Sequence, residues 1–360
     1  MKAPADEPLP WVEKYRPSNL DEVVAHEDII ATIRQYVRKG QLPHLLFHGP
    51  PGTGKTSTIL AVARELYGSH LRTHVLELNA SDDRGINTVR EQIKTFAETT
   101  SASFKGCHPA AAASSFCGMA PPPLKLVILD EADQITSVAQ NALRRIMEAY
   151  ARNVRFCLIC NYVSRIAPAI QSRCTGFRFT PLPSAALEEK AEAVARAEGV
   201  KISRDGVEAL VRVARGDMRR LLNCMQASFL AHPTAILTAD GVHRALGQPL
   251  PSEVERIFER LLILDFAPAC RELEALVCGQ GYSMKDWVAA LHQEVLRTNW
   301  PVHVLVTFVG RLADIEARVA AGASEIIQMH ALVAAFFEAR GGLHAGPGAA
   351  GSSPRPAATP

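Results

Sequence analysis

Residues 49–56 read Gly49, Pro50, Pro51, Gly52, Thr53, Gly54, Lys55, Thr56, which fits the phosphate-loop pattern G-x-x-x-x-G-K-[ST] at every required position. The chemistry such a segment can do is narrow. Glycines allow a tight turn whose successive N–H groups, backed by the positive end of a following helix, point at phosphate oxygens. Lys55 adds a point charge for the terminal phosphates. The Thr56 hydroxyl can reach Mg²⁺, and Ser57 continues the loop into the next element. The segment implies a nucleotide site.

A second element fits a nucleotide that is hydrolysed. Leu126 to Leu129 is an apolar run that ends in Asp130-Glu131. Asp130 is placed to serve the Mg²⁺ shell and Glu131 to polarise an attacking water. Three further segments carry less by themselves. Asn161 follows another apolar run and is either a turn residue or a side-chain amide near the γ-phosphate. Arg173, in Ser172-Arg173-Cys174, is either a solvated charge or a phosphate contact. In Gly216-Asp217-Met218-Arg219-Arg220, which opens a helical pattern with Asp217 favourable near its start, either arginine could reach phosphates, or neither.

The elements that must position these residues follow from the hydrophobic period. Short apolar runs at 44–48, 75–79, 124–129, 155–160 and 176–179 read as strands, and helical patterns, among them 29–37 and 57–67, fill the intervals. This is the signature of an α/β domain with a parallel sheet, whose phosphate loops lie at the carboxyl ends of strands. Residues 101–123, with four consecutive alanines and three consecutive prolines, read as a low-complexity surface insertion. After Pro181-Leu182-Pro183 only helical patterns follow, at 185–198, 204–214, 217–231 and 239–246. After the break at 248–251 they resume at 252–263, 268–277, 283–297, 301–320 and 325–339. The expected domains are therefore 1–180, a small helical domain 181–247 and a helical bundle 248–340, with a disordered tail from Gly341.

Composition limits the alternatives. With 48% hydrophobic and 21% charged residues and a net charge of +2, the 360-residue chain is an ordinary globular one of two or three domains. No apolar run approaches the roughly 18 residues of a membrane span. The start lacks the apolar centre of a signal peptide, which leads us to expect an intracellular protein. Charge is unevenly spread: residues 141–180 hold seven arginines against one acid, Glu148, an excess suited to a polyanion or another subunit's phosphates. The eight cysteines suggest no disulfide framework. Cys157 and Cys160 lie three apart in an expected strand and so point to opposite faces, and Cys107, His108 and Cys117 lack a fourth zinc ligand.

The phosphate loop, Asp130-Glu131, Asn161, Arg173 and Arg219 occur in the order found in AAA+ ATPases. Residues 11–17 (Trp-Val-Glu-Lys-Tyr-Arg-Pro), 78–85 (Leu-Asn-Ala-Ser-Asp-Asp-Arg-Gly), 140–145 (Gln-Asn-Ala-Leu-Arg-Arg), 172–174 and 216–220 narrow this further. From about Pro10 to Phe337 the chain resembles a small subunit of replication factor C, the clamp loader. Residues 156–162 and 313–316 look most like the branch called subunit 5, or subunit 3 in fungi. The resemblance implies an AAA+ domain with a helical lid (181–247) and a collar (248–340) that holds five subunits in a ring. It implies ATP and Mg²⁺ as cofactors, other replication factor C subunits, a sliding clamp and primer–template DNA as partners, and a nuclear location. Val12, Tyr15, Arg16 and Pro17 would border the adenine; Asn161 and Arg219 would be the two sensors; Arg173 would be a finger for an adjacent subunit's ATP. Arg84 and Arg90 match positions that touch the DNA backbone, and Asn79 matches a residue that restrains the catalytic glutamate.

Two other functions compete with ATP-driven clamp loading. One is a scaffold that holds ATP with little turnover, which an intact Lys55 and Glu131 disfavour. The other is a homohexameric branch-migration motor, which would need the last helical domain to read DNA.

Overall fold

A computed structural model of the chain describes residues 9–80, 86–98 and 124–344. The expected insertion at 101–123 and Arg84 lie outside the described residues. The chain divides into two compact units, residues 1–229 and 230–360.

Among the described residues the first unit is built on five strands, β1 (Leu45–His48), β2 (Val75–Asn79), β3 (Lys125–Asp130), β4 (Val154–Cys160) and β5 (Thr175–Arg178). They form one sheet in the order β2-β3-β4-β1-β5, with every pairing parallel. Both faces are covered, so the central strands carry unbroken apolar runs, Leu45–Phe47, Leu126–Leu129 and Phe156–Cys160, instead of alternating. Leu45, Phe47, Leu126, Ile128, Cys157 and Ile159 belong to one core with Ile59 and Val62, whereas Leu46, Val127, Leu129, Leu158 and Cys160 belong to a second with Ile93, Leu143 and Met147. Cys157 and Cys160 thus lie in different cores, as the period of two requires.

The helices of this unit are α1 (Trp11–Lys14), α2 (Glu27–Lys39), α3 (Lys55–Tyr67), α4 (Leu71–His74), α5 (Ile86–Glu98), α6 (Ser137–Ala149), α7 (Pro168–Gln171), α8 (Ser184–Glu198), α9 (Arg204–Ala214) and α10, which runs from Met218 to Ala231. α2 ends at Gly40, whose φ of 63° closes the helix in the left-handed conformation that glycine adopts without strain. α1 forms where the sequence shows only a cluster of aromatic, basic and proline residues. Trp11, its first residue, is buried, and that packing accounts for the extra turn.

The second unit contains α11 (Ala239–Ala245), α12 (Pro251–Ile263), α13 (Phe266–Gln280), α14 (Met284–Arg297), α15 (Val302–Ala320) and α16 (Glu325–His344). Its core is aromatic at the centre: Phe308 and Phe336 meet edge-on with centroids 4.7 Å apart, and Trp287 is fully buried. α16 continues past Gly341-Gly342, the pair expected to end it. Gly342 lies close against Val304, where a Cβ would come within 3.2 Å of a methyl group, so close packing selects a glycine that helix propensity alone disfavours. No helix among the described residues is long and apolar enough to cross a membrane.

At the start of β1, the amide of Phe156 donates to Nδ1 of His44 over 3.2 Å, which requires that nitrogen to be unprotonated. Burial, helped by Arg155, pushes the His44 pKa down to about 4. Between the ordinary value near 6.5 and about 4 the unfolded chain therefore binds a proton that the folded chain does not, and stability falls as pH falls through that window, by up to about 3 kcal/mol. Denaturation midpoints measured at pH 7.5 and 4.5 should lie closer together in His44→Gln than in the wild type. Equal spacing would show that His44 does not titrate this way.

Candidate nucleotide site

The carboxyl ends of β1, β3 and β4 deliver the phosphate loop, Asp130-Glu131 and Asn161 to one edge of the sheet, beside the point where the strand order reverses. The loop leaves β1 through Gly49, which has φ 145° and lies under the Phe179 carbonyl; a Cβ there would be 2.1 Å from that oxygen. Gly52 and Gly54 follow at φ 68° and 91°. Within the turn the Thr53 hydroxyl donates to Pro50 O at 3.0 Å. Lys55 opens α3, its side chain turned back along the loop. Its Nζ donates to Gly49 O and Pro50 O, both at 2.8 Å, and to Asn161 Oδ1 at 3.1 Å. Burial pulls the lysine pKa down, with Asp130 acting in the opposite sense.

Next to the lysine, the Thr56 hydroxyl donates to Asp130 Oδ2 at 2.7 Å. The hydroxyl and carboxylate expected to share a hard cation are therefore neighbours, an oxygen donor set that suits Mg²⁺. The other Asp130 oxygen accepts from the Glu131 amide at 2.8 Å. Glu131 itself stands at φ 52°, a strained conformation for a side chain of this kind, and its carboxylate accepts from Gln134 Nε2 at 2.7 Å. Asn79 ends β2 in register with Asp130.

Helix α10 meets the loop end-on. The Met218 amide donates to Gly52 O at 3.1 Å, and Asp217 lies so close that a Cβ on Gly52 would come within 1.6 Å of its carboxylate. That carboxylate caps α10 through the Arg220 amide at 3.0 Å. Gly216, at φ 86°, is pressed against Pro181 and accepts from the Leu182 amide at 3.0 Å. The Gly216-Asp217 pair therefore docks the helix, and Arg219 lines the cleft.

Val12, Tyr15, Arg16 and Pro17 line the same cleft. The arm that carries them is tied down at three points. The Trp11 amide donates to Gln226 Oε1 at 3.1 Å, the Trp11 ring stacks on Phe229 with centroids 5.7 Å apart, and Lys14 and Tyr15 both donate to Glu198. Burial, followed by Glu198, raises the Tyr15 hydroxyl to about 12.

Residues 45–182 match the model of the ATPase family associated with various cellular activities (AAA), and residues 249–335 match that of the replication factor C C-terminal domain. Replication factor C subunit 5 of Homo sapiens is 45% identical over 91% of this chain and 91% of its own length. The chain belongs to the replication factor C family. A probable replication factor C subunit 5 of Dictyostelium discoideum is 44% identical over 92% of this chain and 91% of its own, and replication factor C subunit 3 of Schizosaccharomyces pombe is 43% identical over 91% and 90%. A solved RuvB variant from Thermotoga maritima, with TM-score 0.50 and 14% identity over 77% of this chain and 91% of that one, shares the fold alone.

Of the site residues expected in this replication factor C chain, the loop from Pro51 to Ser57, Asp130, Glu131, Asn161, Arg219 and the four arm residues come together in one cleft. Gly49 and Pro50 join it as the acceptors of Lys55. Arg173 is held elsewhere, by Glu148 and Ala169 O. Arg90 stands on α5, and its side chain lies outside the described residues. Val23, Val24, Lys190 and Leu222 also line the cleft. Sequence reasoning missed them because each looks like a routine core or surface position of its own element. Gln140 was visible only as part of a motif. Its amide donates to Ile135 O and Arg165 O and accepts from the Ala167 amide, which ties α6 to the segment after β4.

Proposed function

We propose that this AAA ATPase binds and hydrolyses ATP as one subunit of a heteropentameric ring that opens a sliding clamp and closes it on primer–template DNA, in the nucleus, during replication and repair. The observation that carries this reading is that Glu131 shares one cleft with Lys55 and the Thr56–Asp130 pair: Lys55, Thr56 and Asp130 are what any chain that holds nucleotide needs, and Glu131 is an acid that a nucleotide-holding scaffold has no use for. Lys55 and the loop amides bind the terminal phosphates, and Val12, Tyr15, Arg16 and Pro17 border the base. Thr56 and Asp130 hold Mg²⁺, which supplies positive charge at the phosphates. Glu131 orients and polarises the attacking water, while Asn161 and Arg219 contact the phosphate end from two sides. Arg173 serves the ATP of an adjoining subunit. Residues 181–247 act as the lid and 248–340 as the collar. Arg84 and Arg90 contact the DNA backbone without reading its sequence.

The test is steady-state turnover by reconstituted rings with clamp and primed DNA, mutating this subunit alone. Glu131→Gln, which keeps ATP bound here, should remove part of the stimulated turnover. Undiminished turnover would mean a scaffold. In the same rings, Arg84→Ala with Arg90→Ala should weaken binding to all DNA sequences and reduce its salt dependence by about one unit of slope per lost phosphate contact. An unchanged slope removes these two residues from the DNA surface.

A further inference from the structure

Arg173 follows α7, and its guanidinium has two hydrogen-bond partners among the described residues. Nη1 donates to Ala169 O and Nη2 to Glu148 Oε1, both at 2.6 Å. The same Glu148 oxygen accepts from Arg144 Nε at 3.2 Å, one turn away on α6. Glu148 is also the one acid in the arginine-rich stretch from residue 141 to 180. Pairs as exposed as this one, with side chains 33% and 46% accessible, contribute little to stability, so stability does not account for the arrangement. Geometry does. An arginine side chain has several freely rotating bonds, and its five N–H groups act on a distant phosphate only if the guanidinium is held in place beforehand. α6, which carries Glu148, is itself fixed by Gln140 to the segment leading into α7. The carboxylate and the arginine thus stand on one frame, and N–H groups of Arg173 beyond these two bonds are left for a phosphate.

We propose that Glu148 is a positioning residue for Arg173, holding its guanidinium in the orientation that serves the adjoining subunit's ATP. This rests on Arg173 acting in trans. The experiment uses whole rings in which this subunit carries Glu148→Ala, Glu148→Gln, Arg173→Ala, or Glu148→Ala with Arg173→Ala. Single-turnover hydrolysis is followed separately at this chain's site and at the adjoining one, and assembly is checked by sedimentation. Glu148→Ala should slow the adjoining site between about tenfold and 10²-fold, in kcat and not in KM, and leave this chain's own site and the assembly unchanged. Glu148→Gln, which keeps an acceptor oxygen, should lie between Ala and wild type. In the Arg173→Ala background the Glu148 change should add nothing. A normal adjoining site in Glu148→Ala beside a slow one in Arg173→Ala would overturn the proposal, as would a Glu148 effect that persists without Arg173. A normal adjoining site in Arg173→Ala would instead remove the trans role on which the proposal rests.

Discussion

Rings that carry Glu131→Gln in this subunit should keep ATP bound on this chain and fail to hydrolyse it there, whereas rings that carry Arg173→Ala should hold unhydrolysed ATP on the adjoining subunit. The Glu131 half follows from the geometry, and the Arg173 half from its proposed role in trans. Glu131 lies one residue beyond β3 and lines the cleft that contains Lys55, and its amide bonds to the Asp130 carboxylate that Thr56 also meets. Exchange for the amide keeps the size of the side chain and removes the charge that polarises water, so binding persists while the chemical step is lost. Arg173 is anchored to Glu148 and the Ala169 carbonyl. If it acts in trans as proposed, its loss should slow the adjoining site by a factor on the order of 10³, the size of effect that an arginine finger supplies. Nucleotide trapping followed by crosslinking identifies the subunit that retains ATP. ATP retained on this chain in both variants would make Arg173 a residue of its own site and exclude the trans role.

The second large effect concerns Gly49. An alanine there meets two separate obstacles: φ of 145° disfavours any side chain, and its Cβ would stand 2.1 Å from the backbone oxygen of Phe179. That carbonyl cannot swing aside freely, because the Phe179 amide is bonded to His48 O at 2.8 Å. Either the chain after β5 retreats or the phosphate loop tilts, and the loop amides lose their aim in both cases. Gly49→Ala should abolish nucleotide binding by the purified chain and destabilise it by about 3 kcal/mol or more. Gly40→Ala is the control. It has φ 63° with open space around it, and should cost about 1 kcal/mol and leave binding intact. Equal losses in the two variants would assign the effect to backbone conformation and dismiss the clash.

How much of this could be read in the sequence depended on the range of the interactions involved. The five strands were legible because strands buried on both faces are apolar runs bounded by turn residues, and each expected strand lies within one residue of the observed one at either end. The phosphate loop and Asp130-Glu131 were legible because their chemistry fixes residue types at fixed spacing. What could not be read were contacts between segments far apart in the chain. Nothing near Tyr15 or Glu198 signals that the arm reaches α8, 183 residues on, and nothing near Glu148 signals that it meets Arg173 across 25 residues. The same holds for Gln134 on Glu131: an amide three residues past an acid has no pattern that separates a functional contact from an ordinary surface turn. α16 runs past its expected end, and the close approach of Gly342 to Val304, which could not be read locally, is the long-range contact found there.

The bond from the Met218 amide to the Gly52 carbonyl joins the phosphate loop to the helix that carries Arg219 through main-chain atoms alone. Side-chain identity at residue 218 is therefore irrelevant to the link itself. Almost any replacement there preserves it, and only proline, which has no N–H, removes it outright. Over long divergence, when motifs erode residue by residue, a connection made this way is sheltered from substitution at its own position. It remains exposed to insertions and deletions that shift the register between residues 216 and 219. The spacing from Gly216 to Arg219 is therefore under tighter restraint than the letter at Met218.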